Sequence, residues 1–244
     1  MYWRQQAMAD CGMVPRRPSE FHPNRTLENW LLYDSGDEAL VRLRDHLKGA
    51  VYDLGCGEMP YREWVLQFAD RYVGVDWSDT LHELKADIIA DLNDRLPIED
   101  RVADSVISFS VLEHLREPET MLNEAYRLLK PGGAIVLQVP FMWWVHEAPH
   151  DYFRFTRYGL EHLFRKAGFV EVEIIANTGF WVMWVTKFNY QTRRLIRGPR
   201  LLRVGITAIL WLVWIMDQIT ARWLDKYWKC EEETAGYTVS ARKP

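Results

Sequence analysis

Residues 51–57 read Val-Tyr-Asp-Leu-Gly-Cys-Gly. The apolar run Ala50 to Leu54 predicts a buried strand that delivers an acid, Asp53, and then enters a turn through Gly55, Cys56 and Gly57. Glycines there permit positive φ and let a ligand come close to the backbone. Pro60 to Ala69 reads as the next helix, with Pro60 near its first position. The free N–H groups of its first turn would face the same place, which suits a carboxylate or a phosphate. A Gly-x-Gly alone also fits an ordinary strand-to-helix turn, so the weight falls on its neighbours.

Downstream, strand and helix signals alternate. Tyr72 to Val75, Asp87 to Ala90 and Ser105 to Ser110 read as the second, third and fourth strands. Pro118 to Lys130 reads as a helix with proline at its start and Pro131-Gly132-Gly133 as its stop. Ala134 to Val139 is a fifth strand, and its apolar run predicts burial on both faces. A helix from Thr156 to Ala167, a sixth strand from Phe169 to Ile175 and a last strand from Tyr237 to Arg242 complete the series. Strands separated by helices at these distances predict an α/β domain with a mostly parallel seven-stranded sheet and helices on both faces. Upstream, apolar residues between Thr26 and Leu47 recur at helical spacing, and Asp34-Ser35-Gly36-Asp37 divides them into two short helices. The proline-rich residues 1–24 are expected to be irregular.

The strand ends carry further acids. Asp76 closes the second strand nineteen residues after Gly57. In doubly wound nucleotide-binding sheets an acid at about that distance binds ribose hydroxyls. A carboxylate suits the task because it accepts two hydrogen bonds at once. Asp91-Leu92 follows the third strand, where a carboxylate could accept an exocyclic amine. Pro60 fills the third-glycine position of the fuller G-x-G-x-x-G, which counts against a dinucleotide.

The series DLGCG, GVD, AD, SVISFSVLEHL and RLLKPGG, in that order over residues 50–175, resembles the class I S-adenosylmethionine-dependent methyltransferases, specifically their type 11 group. The resemblance implies a Rossmann-like methyltransferase fold, transferase activity and S-adenosyl-L-methionine as cofactor. It implies that Asp53, Gly55, Cys56 and Gly57 hold the methionine end, Asp76 the ribose, and Asp91 with Leu92 the adenine edge, with Asp87 as the fallback. Trp77 is placed to stack on the adenine, and Ser110 to His114 runs beneath the sulfonium, with Ser110 and His114 in the cofactor pocket. Glu58-Met59-Pro60 departs from members with a third small residue.

The run PFMWWVHEAPHDYFRFT, residues 140–156, follows the carboxyl end of the fifth strand, where α/β proteins place ligands. Its H-E-x-P-x-D-Y-x-R-x-T spacing is similar to a bacterial subset of the family, some of it near cell-surface glycan or lipid-linked chemistry. Methyl transfer to a hydroxyl needs a base. His146 and His150 are the candidates, since histidine titrates nearest neutrality. Glu147 and Asp151 would orient a histidine or bind the acceptor; Arg154 would hold an anionic group; Trp143, Trp144 and Tyr152 would line the acceptor pocket. The plainer alternative keeps each histidine structural and makes Asp151–Arg154 a loop pin.

Composition bounds the rest. A net charge of −4 argues against a general nucleic-acid binder. Cys11, Cys56 and Cys230 show no metal-ligand or disulfide spacing, so no metal is expected and a reducing, cytoplasmic setting is. Of twelve tryptophans, six lie between Trp181 and Trp228. The expected division is an N-terminal segment 1–48, a catalytic core 49–176 plus 236–244, and a helical insertion 177–235 before the last strand. The insertion carries Arg193, Arg194, Arg197, Arg200 and Arg203, with no acid from Ile174 to Met216. Its uncharged run, Val204 to Met216, has thirteen residues. At 1.5 Å each that is about 20 Å, short of the roughly 30 Å hydrocarbon core. A membrane span is therefore disfavoured. Peripheral contact of 178–228 with the inner membrane face, a lid over the site, and a homodimer face stay open. The expected function is methyl transfer to a small-molecule, glycan or lipid-linked acceptor. The alternative is a catalytically silent, membrane-associated partner that keeps the fold.

Overall fold

The computed structural model describes residues 16–79 and 83–244; the tail expectation for residues 1–15 and Cys11 lies outside them. Seven strands form one sheet: β1 (Ala50–Leu54), β2 (Arg71–Asp76), β3 (Ile88–Ile89), β4 (Ala103–Phe109), β5 (Leu129–Pro140), β6 (Val170–Ala176) and β7 (Gly236–Arg242). Their order is β3-β2-β1-β4-β5-β7-β6. The first five run parallel, and β7 inserts antiparallel between β5 and β6. The chain leaves β1 toward one edge, then returns to β4 on its other side. The carboxyl ends of β1 and β4 therefore flank a topological switch point, where such sheets bind ligands.

Alternation along the strands separates two cores. Tyr52, Leu54, Val106, Ile135 and Leu137 face α3 (Pro118–Leu128) and α4 (Arg157–Lys166). Val51, Ile107 and Val136 face α1 (Trp30–Arg42) and α2 (Arg62–Val65). Helices thus cover both faces, as the buried parallel strands require.

Four local expectations change. Asp34 and Asp37 do not break the N-terminal helix; α1 runs through them. Both are buried, and Arg25 reaches both while Ser19 donates to Asp37 from backbone and hydroxyl. Tertiary partners thus satisfy groups that would otherwise compete with the helix. The helix expected from Pro60 to Ala69 shrinks to α2, with turns at residues 60–61 before it and 66–68 after it. The third strand keeps only two residues, Ile88 and Ile89, against the four expected. Pro131-Gly132-Gly133 does not lie beyond the helix as a free stop. The helix ends at Leu128, and β5 starts at Leu129, which pairs with Ala103 across an irregularity in the ladder.

The insertion forms two helices, α5 (Phe180–Arg193) and α6 (Arg200–Tyr227). The Asp225 carboxylate of α6 accepts from the backbone N–H groups of Gly179, Trp181 and Val182, an anionic cap on the start of α5. Buried Gln218 accepts from the Leu31 N–H and donates to the Leu27 carbonyl, tying α6 to α1. The length argument made from the uncharged run needs correcting. The helix continues through Asp217 and Arg222, and by length and composition it is apolar enough to cross a membrane.

Candidate active site

The β1 strand ends at a tight crossing. The N–H groups of Gly55 and Cys56 both donate to the Val75 carbonyl of β2. Gly55 has φ +83°, and a Cβ there would lie 2.3 Å from Val111 Cγ2. Gly57, at φ +51°, has open space where its Cβ would stand, so a ligand can meet bare backbone. The Gly57 N–H donates to Asp76 Oδ2 (2.7 Å) and the Trp77 N–H to Oδ1 (2.8 Å), which fixes the carboxylate at the mouth of β2.

Asp53 is buried and accepts from the Tyr72 hydroxyl. Burial raises its carboxyl to about 7, nearby Asp76 adds to this, and the Tyr72 hydrogen bond opposes it. A cation at this spot would restore the ionised form. Cys56 is buried too, and burial pushes its thiol well above the ordinary range, so it acts by packing. Asp91 accepts from the Asn93 backbone and side chain through Oδ1. Asp87 accepts from the Gly74 N–H and is not among the lining residues, whereas Asp91 and Leu92 are.

One cavity of about 1030 Å³ joins these groups to the 140–156 loop. Asp53, Gly55, Cys56, Gly57, Asp76, Trp77, Asp91, Leu92, Ser110 and His114 line one end. Trp143, Trp144, His146 and Glu147 line the other, which His114 reaches through its ring contact with His146, while His150 and Tyr152 sit on the Trp77 side. Asp151 and Arg154 do not line it. Arg154 grips both Asp151 oxygens (2.6 and 2.7 Å) and donates to the Trp144 and Phe153 carbonyls. The Arg154 hydrogen bonds hold the Asp151 carboxyl down at about 2, too weak a base for a hydroxyl proton. The pair belongs to the loop's frame, the plainer alternative: Arg154 is spent on Asp151 rather than on an anionic group of an acceptor, and Asp151 stands 3.4 Å from His146 Nδ1, where it orients that ring.

The histidines also separate. The His150 ring stands edge-on to Trp77 (5.2 Å) and its Nδ1 lies 3.1 Å from the Tyr152 hydroxyl, at the nucleoside end. The His146 ring packs edge-on to His114 (4.7 Å) instead. Its pKa is lowered by burial and then by His114, which favours the neutral ring. Beneath the two rings lies Glu113, with 0% exposure and no hydrogen-bond partner for either carboxylate oxygen. Burial raises its carboxyl to about 8. Sequence reasoning placed Glu113 in a pocket-shaping segment and did not select it; the Glu-His pair in VLEHL was the available signal.

Three tyrosines were missed altogether. Tyr33 from α1, Tyr61 before α2 and Tyr190 from α5 all line the cavity. Trp143 and Trp144 stack at 4.1 Å, and Tyr190 abuts both edge-on. Asn29 donates to the Tyr190 hydroxyl (2.7 Å), so the insertion and the N-terminal segment meet over the acceptor end. Nothing local in the sequence pairs those two regions.

Comparison with known proteins finds methyltransferase relatives of part of the chain. Residues 52–137 match a family model described as a methyltransferase domain. A "Probable S-adenosylmethionine-dependent methyltransferase" of Mycolicibacterium smegmatis is 31% identical over 96 residues, 37% of each chain. A ubiquinone biosynthesis O-methyltransferase of Pseudomonas aeruginosa is 29% identical over 138 residues, covering 50% of this chain and 55% of that one. The chain therefore spans from about a third to about half of the curated relatives it matches. Among solved structures, the [4+2]-cyclase SpnF superposes with a TM-score of 0.55 at 19% identity, over 99% of this chain and 93% of that one. This last likeness concerns the fold, which hosts more than one chemistry.

Proposed function

We propose that this chain, whose residues 52–137 form a class I S-adenosylmethionine-dependent methyltransferase domain, methylates a small or lipid-linked acceptor at the cytoplasmic face of a membrane. The observation that carries the reading is the single cavity. It joins a nucleoside-shaped end, built on Gly57, Asp76 and Asp91, to an aromatic acceptor end. The residues fit the cofactor: the bare backbone at Gly57 leaves room for its methionine arm, Asp53 offers a carboxylate to its ammonium, and Asp76 offers a diol-binding carboxylate. When bound, S-adenosylmethionine supplies the methyl electrophile.

The protein positions the nucleophile and keeps water out. Trp143, Trp144 and Tyr190 enclose the acceptor. Its reacting oxygen meets the corner formed by Glu113, His114 and His146, while the Asp151–Arg154 pair holds the loop in place.

The membrane part of the reading rests on α6. Its second half is fixed to the domain through Trp214, Gln218, Ala221 and Asp225. Its first half exposes Leu201 (87%), Leu212 (68%) and Val204 (61%) beside Arg194, Arg197, Arg200 and Arg203, which are exposed as well. Apolar side chains flanked by arginines suit an anionic bilayer interface. Exposed Trp211 and Trp223 favour that depth.

Calorimetry with S-adenosylhomocysteine tests the cofactor. Wild type binds in the micromolar range and Asp76→Ala weakens binding about 100-fold, near 2.7 kcal/mol. A folded wild type that does not bind overturns the reading. Flotation with phosphatidylglycerol vesicles tests the surface, with loss expected in the Trp211→Ser/Leu212→Ser double variant. Self-association in sedimentation without flotation would make the same face a dimer interface.

A further inference from the structure

We propose that Glu113, His114 and His146 form a divalent-metal site at the acceptor end of the cavity. Their ligand atoms lie within 4.8 Å of one another. Glu113 Oε1 is 3.6 Å from His114 Nε2 and 4.0 Å from His146 Nε2. Donors in a tetrahedral site with bonds of 2.0–2.1 Å stand about 3.3 Å apart, so closing on an ion would draw His114 and His146 toward Glu113 Oε1 by about 0.3 and 0.7 Å. Two imidazoles and one carboxylate, with positions left for water or substrate, suit zinc and similar first-row ions.

The surroundings of the three ligands carry the argument furthest. His114 Nδ1 lies 2.7 Å from the His150 carbonyl and must donate to it, which leaves the Nε2 lone pair facing the cluster. His146 Nδ1 lies 3.3 Å from the Trp144 carbonyl and 3.4 Å from Asp151 Oδ2. Arg154 Nη2, 3.3 Å from the same nitrogen, can only donate to it, so Nδ1 either accepts from Arg154 or donates to these oxygens; an ion on Nε2 selects the second arrangement. A carboxylate or carbonyl behind each imidazole is the usual support of metal-bound histidine. Arg154, Asp151 and the His146 N–H (2.8 Å to Asp151) fix that support in turn.

Glu113 supplies the second, independent observation. A buried carboxyl with both oxygens unpartnered is costly, and a cation between it and the two rings compensates it. Glu147 Oε2, 3.8 Å from His114 Nε2, stands at the cavity side as a further oxygen donor. The role of the ion rests on the methyltransferase reading: it would bind the acceptor hydroxyl and lower its pKa so that its proton is released to solvent, and the oxygen would bond to the methyl carbon as the carbon–sulfur bond of the sulfonium breaks, leaving S-adenosylhomocysteine.

Cobalt(II) titration of the chelator-treated full chain, followed by visible absorbance and reversed with zinc, tests the site without turnover. Wild type should take one equivalent and show tetrahedral or five-coordinate bands. Glu113→Gln and His146→Gln should weaken binding by more than about 100-fold, and Asp151→Asn by about 10–100-fold. His146→Gln changes a partly exposed side chain, so its fold, checked by near-ultraviolet circular dichroism, survives even if Glu113→Gln does not. A wild type that binds cobalt no more tightly than folded His146→Gln overturns the proposal. Tight S-adenosylhomocysteine binding with no cobalt site removes the metal alone; a cobalt site without S-adenosylhomocysteine binding removes the methyltransferase reading alone.

Discussion

The two ends of the cavity are built on different principles. The nucleoside end is a backbone device: strand ends, two left-handed glycines and N–H groups aimed at Asp76. The acceptor end is a side-chain device, a loop with no regular structure held by one arginine, one aspartate and stacked rings. The first kind is set by local sequence and changes little with surroundings. The second depends on partners far apart in the chain, and so can be removed one side chain at a time.

Substitutions at each end sharpen this contrast. The largest effect is expected for Gly55→Val, which puts a β-branched residue at φ +83° and drives its Cβ into Val111. Steric overpacking and the left-handed backbone together cost about 3–5 kcal/mol, read as a lower urea midpoint and loss of cofactor binding. Arg154→Ala comes next. It leaves Asp151 without its bidentate partner, and urea unfolding should show a loss of about 2–3 kcal/mol. Arg154→Lys should recover little, since an ammonium cannot span both carboxylate oxygens and also reach the Trp144 carbonyl. Nucleoside-end binding should survive in both Arg154 variants. Equal loss of S-adenosylhomocysteine affinity would mean that the two ends are not separable.

The smallest effect is a slope with pH. Burial raises Asp37 to about 6, Asp53 to about 7 and Glu113 to about 8 in the native chain. The unfolded carboxyls titrate near 3.8 and 4.5. Above about 6.5 the rings of His46 and His146, whose lowered pKa values give the opposite slope, are neutral in both states, and the native chain binds more protons at Asp53 and Glu113, so stability of the metal-free chain falls as pH rises from there to about 8. Asp151, held at about 2, contributes the opposite slope only below pH 4. Urea midpoints at pH 6.5, 7, 7.5 and 8 should decline, and Glu113→Gln should flatten that decline. An unchanged slope in that variant would mean that Glu113 ionises normally.

The same division explains what could be read in advance. The strand series, the glycine turn and the acids at the strand ends follow from short patterns, and the structure keeps them within a few residues. The exceptions have tertiary causes. Asp34 and Asp37 read as helix breakers because Arg25 and Ser19, which satisfy them, are separate in sequence. Helix α6 read as thirteen residues because charge was taken as its boundary, yet Gln218, Arg222 and Asp225 face protein partners along the same helix. In the 140–156 loop the residue types pointed to chemistry, but only the fold separates Asp151 and Arg154, spent on each other, from His146, which turns toward His114 and Glu113.

The sequence by itself therefore determined the strand-and-helix series, the glycine turn and the acids at the strand ends, because glycine conformation, strand periodicity and terminal acids act within a few residues of one another. Only the tertiary structure decided which side chains share the acceptor corner and that Tyr190 of the insertion closes over it. Those contacts join positions from 29 to 190, and no local propensity encodes a meeting between segments so far apart along the chain.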